Sequence, residues 1–260
     1  MKIGVFDSGI GGITVLNALR RRVTGVDFVY LGDTAHVPYG TKSPAQIRRL
    51  CVESATVLKS KKIDALVVAC NTASSLALGE IRAVMESVPV FGMVEPGVEA
   101  VTESHGGSSL GPVLVLATRA TVRSGAYGIQ LRDRFSQNGW QTEVFEQECP
   151  LLVPMIEEGW VDHAILHQTI GEYVHAHRSS QPPGVALLGC THYPWIQAAF
   201  ERALPGWKVV NSAEAVVSHL GKVGLIQPTP VGLSRLQGAV DWIFSDPDAV
   251  PAFAKELVQG

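Results

Sequence analysis

The chain has 260 residues, 46% of them hydrophobic and 17% charged, with 21 Lys and Arg against 24 Asp and Glu for a net charge of −3. That length suits one large domain or two small ones, and the apolar balance favours strands buried on both faces, as in a parallel α/β sheet. It excludes a nucleic-acid footprint and a disulfide scaffold: no long basic tract is present, and the four cysteines include no CxxC pair.

The first strand is expected over residues 3–6. It runs into Asp7-Ser8-Gly9-Ile10-Gly11-Gly12, with Val15, Leu16 and Leu19 behind it at helical spacing. An acid at position 7 is foreign to a signal peptide, and no apolar run reaches the roughly 18 residues of a membrane span. A cytoplasmic chain with reduced thiols is the expectation, with neither membrane nor nucleic acid as a partner. The glycines could cradle a phosphate or simply form a loop fixed by Asp7. They match neither G-x-G-x-x-G, since position 14 is Thr14, nor a P-loop.

A second strand over 28–31 exits into the turn-rich stretch Gly32-Asp33 through Pro38-Tyr39-Gly40. A helix over about 44–61 leads to a short apolar strand over 65–69, followed by Cys70-Asn71-Thr72-Ala73-Ser74-Ser75. Ala77, Ile81, Val84 and Met85 then recur at helical spacing. A further strand is expected over 88–94, ending at Glu95-Pro96-Gly97. Residues 102–111, with Gly106, Gly107, Ser108, Ser109 and Gly111, read as the linker.

The order then restarts. A strand over 112–116 ends in Ala117-Thr118-Arg119-Ala120-Thr121, and another over 142–145 leads to Cys149-Pro150-Leu151 and on to Glu157-Glu158-Gly159. A helix over about 163–177 precedes a strand over 185–188 and then Gly189-Cys190-Thr191-His192. After Pro194, well tolerated in a first helical turn, Ile196, Phe200 and Ala203 recur at helical spacing, and a last strand spans 207–210. Helical patterns over 233–244 and 251–258 close the chain. Strand–helix alternation implies βαβ units with parallel sheets, whose ligands sit at the carboxyl ends of the strands. The expected fold is two pseudo-symmetric α/β lobes with the site in the cleft between them.

Cys70 and Cys190 stand at matching strand ends, 120 residues apart. One cysteine on an apolar strand is as often a small buried hydrophobe; two in equivalent places with polar neighbours point to chemistry. A Cys/Cys/His metal set is the alternative, although only Cys190 and His192 are close in sequence. Cys51 and Cys149 lack the strand-end context and read as structural. His163, His167, His175 and His177 read as the exposed side of one helix.

Two thiols across one cleft suit removal of a proton from one face of a carbon and its return on the opposite face. A free thiol has a pKa of about 8.5, so the attacking thiolate needs help. Asp7 beside Cys70, and Glu157 or His192 beside Cys190, are the candidates. Ser8, Asn71, Thr72, Thr118, Thr121 and Thr191 could donate to developing charge. Neither cysteine motif contains an arginine, so a substrate carboxylate would rest on neutral donors and helix ends.

Together these motifs, from Asp7-Ser8-Gly9 to Leu188-Gly189-Cys190-Thr191-His192-Tyr193-Pro194, closely resemble those of the bacterial glutamate racemases, including Pro38-Tyr39-Gly40-Thr41-Lys42 between them. The resemblance implies a cofactor-independent isomerase without a metal, interconverting L- and D-glutamate and supplying D-glutamate for peptidoglycan. It implies Cys70 and Cys190 as proton acceptor and donor, with Asp7, Glu157 (rather than Glu158) and His192 assisting. Substrate contacts fall on Asp7, Ser8, Pro38, Tyr39, Gly40, Asn71, Thr72, Thr118, Thr121, Thr191 and His192. By the same resemblance the first lobe is 1–96 with 210–260, the second is 97–209, and a homodimer is left open. Asn211-Ser212 departs from the family's frequent Asp-Ser. A racemase of aspartate or a hydantoin, and a solute-binding module without chemistry, are the other readings of the motifs.

Overall fold

Residues 3–6 and 65–68 are apolar at every position because both faces of their sheet are covered. The computed structural model describes residues 1–107, 111–177, 183–228 and 238–259. Its first half contains β1 (Lys2–Asp7), α1 (Ile13–Arg20), β2 (Asp27–Gly32), α2 (Pro44–Ser60), β3 (Ala65–Val68), α3 (Asn71–Leu76), α4 (Leu78–Met85), β4 (Val90–Phe91) and α5 (Val94–His105). There follow β5 (Val113–Ala117), α6 (Arg119–Ser124), α7 (Ala126–Gln137), β6 (Val144–Glu148), α8 (Leu152–Glu157), α9 (Ala164–Val174), β7 (Val185–Gly189), α10 (Gln197–Ala203) and β8 (Lys208–Asn211). α11 (Ser212–Lys222), β9 (Val240–Phe244) and α12 (Ala252–Gln259) complete the chain.

Two parallel sheets result, ordered β4-β3-β1-β2-β9 and β6-β5-β7-β8. With β5 to β8 set against β1 to β4, the second sheet repeats the order of the first; β9 is the addition. Alternate residues feed the two faces of each sheet. Ile3, Val5 and Val67 join α1 and α11 on one side, while Phe6, Leu66 and Val68 join α2 and α4 on the other. Leu114, Leu116 and Leu188 meet α8, α9 and α10, and Val113, Val115 and Leu187 meet α5 and α7.

Two helices exchange lobes. α5, reached from the first sheet, packs on the second through Val94, Val98 and Val101. α11, leaving the second sheet, packs on the first through Val216, Val217 and Leu220. They are tied together by Glu99, whose carboxylate takes His219 Nδ1 and Lys222 Nζ, each at 3.0 Å. The expected division at 96/97 thus falls inside α5, and that at 209/210 falls inside β8. Asn211 caps α11 as an aspartate would, accepting the Ala213 N–H at 2.9 Å, and its amide also donates to Gln197 Oε1 at 3.0 Å.

Several expected elements change. The helical pattern over 233–244 is in part a strand: 240–244 form β9, parallel to β2 from Phe28↔Val240 to Gly32↔Phe244, while 233–237 lie outside the described residues. Val-Asp-Trp-Ile-Phe suits a pleated surface, and the open edge of β2 decides the matter. Trp242 and Phe244 then pack 5.2 and 5.9 Å from the Tyr30 ring. The strand over 88–94 shrinks to the two residues of β4, because Val94 to Gly97 form the first turn of α5, where Pro96 costs no helical hydrogen bond. The linker begins later than expected: α5 runs to His105 and ends at Gly106 (φ 63°), and Ser108 and Ser109 lie outside the described residues. The helix after Cys70 is broken at Ala77, and α6, α7, α8 and α11 were not anticipated. No helix among the described residues is long and apolar enough to cross a membrane.

Candidate active site

Both thiols emerge at carboxyl ends of central strands. Cys70 follows β3 with extended backbone and is the N-cap of α3; its Sγ accepts the Ala73 N–H at 3.5 Å and donates to Ser8 Oγ at 3.4 Å. Burial pushes the Cys70 thiol up to about 12, and the nearby Asp7 carboxylate adds to this against the Ser8 and Ala73 bonds. Asp7, at the end of β1, is fully buried. Its Oδ2 accepts the Gly9 N–H at 3.0 Å and its Oδ1 the Thr191 hydroxyl at 3.1 Å. Burial raises its pKa, opposed by the charge of His192 and by those donors.

Cys190 follows β7. His192 Nδ1 lies 3.9 Å from Cys190 Sγ, and His192 Nε2 lies 2.9 Å from Glu157 Oε1 at the end of α8. Burial by itself would lower the pKa of His192; the bonds to Cys190 and Glu157, and their charges, outweigh it and raise the value to about 10. Tyr193 and Cys149 close the space behind, with the Tyr193 hydroxyl donating to the Cys149 carbonyl at 3.3 Å.

Three hydroxyls join the lobes at the other side. Thr72 Oγ1 stands 2.9 Å from Thr118 Oγ1 and 3.0 Å from Thr121 Oγ1, and the latter two are 2.9 Å apart. Asn71 Oδ1 accepts the Tyr127 hydroxyl at 2.6 Å, while its buried Nδ2 has no partner among the described residues. Tyr39 donates to the buried Asp33 carboxylate at 2.6 Å, which also accepts the Ser245 hydroxyl at 2.7 Å.

Between the lobes lies a cavity of about 20 Å³ walled by Ser8, Pro38, Tyr39, Gly40, Cys70, Asn71, Thr72, Thr118, Cys190, Thr191 and His192, with Val37 and Val153. Asp7, Thr121 and Glu157 stand behind this wall and touch it through Thr191, Thr72 and His192. Such a volume holds about one water, so an amino acid enters only when the lobes part.

Thr14 and Tyr127 carry no site assignment from the sequence, and Gly11 takes a role other than the phosphate cradle or plain loop read there. Thr14, noted only for breaking a glycine pattern, donates to the Thr191 carbonyl at 2.8 Å and so ties α1 to the opposite lobe. Gly11 leaves room for the same loop: a Cβ there would sit 2.5 Å from His192 Nδ1. Tyr127 comes from α7, a helix whose pattern gave no signal.

The family model described as Asp/Glu/Hydantoin racemase matches residues 3–220. The chain belongs to that family. It is 43% identical to a glutamate racemase of Aquifex pyrophilus over 216 residues, 83% of this chain and 80% of that protein. It is 39% identical to one from Thermus thermophilus over 259 residues, 98% of this chain and 91% of that protein. Among solved structures, glutamate racemase from Francisella tularensis in complex with D-glutamate superposes with a TM-score of 0.83 at 31% identity, covering 100% of this chain and 94% of that one. The α/β architecture of two helix-flanked parallel sheets is therefore the family's own.

Proposed function

We propose that this protein is a glutamate racemase, an isomerase that interconverts L- and D-glutamate by two-base proton transfer between Cys70 and Cys190. The observation that carries it is the pair of thiols at equivalent strand ends of two topologically matched sheets, both on the wall of one cavity. Relatives of about 40% identity over most of the chain, named glutamate racemases, support the choice of substrate.

In one direction a thiolate takes the α-proton from one face of glutamate, leaving a carbanion conjugated with the carboxylate. The opposite thiol then gives its proton to the other face and becomes the thiolate. The reverse reaction exchanges the roles, and every proton rests on a side chain of this chain. Asn71 Nδ2, a buried donor with no partner among the described residues, can meet the developing charge. Asp7 acts beside Cys70, and Glu157 acts through His192 beside Cys190. Ser8, Pro38, Tyr39, Gly40, Thr72, Thr118 and Thr191 line the space the substrate takes once the lobes open, and Thr121 holds Thr72 and Thr118. A role in supplying D-glutamate for peptidoglycan, a cytoplasmic location, lobes of 1–96 with 210–260 and of 97–209, and a homodimer belong to the same proposal; sedimentation velocity checks the last.

The deciding experiment incubates the protein with L-glutamate in D2O and follows optical rotation and Cα deuterium together. Loss of rotation with deuterium entering the product is expected, and Cys70→Ser and Cys190→Ser should each abolish it while retaining the thermal transition. An active Cys70→Ser enzyme would sink the two-thiol assignment. Turnover of L-aspartate in place of glutamate would move the substrate within the family.

A further inference from the structure

A second cavity, of about 370 Å³, adjoins the catalytic one across Gly40. Its wall comes from both lobes: Gly40, Lys42, Ser43 and Leu76 from the first, Arg119 and Arg123 from the second. Three cations therefore converge on one space. Among the described residues the two arginines share one carboxylate, Glu148, whose single charge leaves a net excess of cation. Its Oε2 accepts Arg119 Nε and its Oε1 accepts Arg123 Nε, both at 3.0 Å. The Nη groups of both arginines are left without a hydrogen bond among the described residues, and so is Lys42 Nζ.

The partition between the two cavities is thin. Gly40 packs so closely on Thr118 that a Cβ at position 40 would lie 2.7 Å from Thr118 Cβ. The inner wall, by contrast, is neutral apart from His192 and the thiols, and contains no Arg or Lys. The one cation on that wall, His192, is already paired with Glu157 and offers little to a second carboxylate. The excess cations stand in the outer cavity, where a second carboxylate gains from a positive field and a neutral side chain does not.

We propose that the 370 Å³ cavity is an outer binding site for the substrate, where Lys42, Arg119 and Arg123 hold a dicarboxylate before Gly40 and Thr118 separate and admit it. It deepens the glutamate assignment above and rests on it. Its surface charges are screened by salt, so its contribution should fade as ionic strength rises.

The test compares the wild type with Lys42→Gln, Lys42→Glu and Arg123→Gln in both reaction directions, from low to high ionic strength. Binding of glutarate, which carries both carboxylates but no amino group, is measured on the same proteins by calorimetry. Lys42→Gln should raise KM by about fivefold and Lys42→Glu by about twentyfold, with kcat changed by less than about twofold. The decline of kcat/KM with salt should flatten in each variant, and glutarate affinity should fall in parallel with KM. Wild-type KM, salt slope and glutarate affinity in all three variants would overturn the outer site, as would a fall in kcat alone. A wild type that binds glutarate through Lys42 but does not racemise glutamate would instead overturn the substrate assignment and leave the outer site standing.

Discussion

Glu157 Oε1 holds His192 Nε2 at 2.9 Å, and the other ring nitrogen of His192 faces Cys190 Sγ at 3.9 Å. The carboxylate is thus one ring away from the thiol and acts on it only through the imidazole. Glu157→Gln keeps a hydrogen-bonding group of the same size and removes the charge. We expect kcat/KM to fall by about tenfold to a hundredfold. Two enantiomers have an equilibrium constant of one, so the loss must be equal in both directions; steady-state kinetics from L- and from D-glutamate measure it. An unchanged kcat/KM would remove Glu157 from the proton path.

The same pair predicts a pH dependence of stability. Folding raises the pKa of His192 from 6.5 to about 10, so the folded chain keeps a proton that the unfolded chain has released. The resulting stabilisation is complete below about pH 6.5 and is lost as pH rises through about 10. Cys70, raised from 9.0 to about 12, adds a loss of the same sign that begins near pH 9. Urea midpoints of the wild type should therefore fall from neutral pH to about pH 10, and those of Glu157→Gln should fall less steeply below pH 9. Cys190 contributes to the His192 shift as well, so a partial flattening is expected, and parallel curves for the two proteins would contradict any share for Glu157.

Closure of the lobes depends on two glycines whose missing Cβ atoms leave room for the facing lobe. A Cβ at Gly11 would lie 2.5 Å from His192 Nδ1, and one at Gly40 would lie 2.7 Å from Thr118 Cβ. Gly11→Ala and Gly40→Ala should hold the lobes apart and lower kcat by about a hundredfold, since small misplacements of reacting groups cost that much. Thermal transitions should move little, because each lobe keeps its own core. Rates near those of the wild type would show that the closed arrangement is not the reactive one.

Thr14 spans the lobes by donating to the Thr191 carbonyl at 2.8 Å, with the Gly11 carbonyl also 2.8 Å from its hydroxyl. Thr14→Val preserves shape and leaves a buried carbonyl short of a donor, at a cost of about 1–3 kcal/mol. Because Thr191 also donates to Asp7, kcat should drop with KM nearly constant, and Thr14→Ser should recover most of it. Recovery by Ser of stability but not of kcat would restrict Thr14 to a structural role.

Some of this was readable residue by residue. The two cysteine motifs and Asp7-Ser8-Gly9 lie where a strand ends, Pro38-Tyr39-Gly40 lies in the loop that follows β2, and strands buried on both faces are marked by unbroken apolar runs. β9 was not readable in that way, since its five residues are set by the free edge of β2, far away in the chain. Nor was α5, whose Pro96 and Gly97 resemble the end of a strand until the second sheet supplies a surface for Val94, Val98 and Val101.

By itself the sequence determined the βαβ alternation, its repetition, and the two thiols with their polar neighbours, because periodicity and local turn chemistry act over a few residues. Only the tertiary structure decided that Thr191 would meet Asp7, that Glu157 would reach His192, and that Thr14 and Tyr127 would brace the site. Those contacts join residues 35 to 184 positions apart. They exist because two separately packed sheets turn the same strand ends toward each other, a relation that no local pattern encodes.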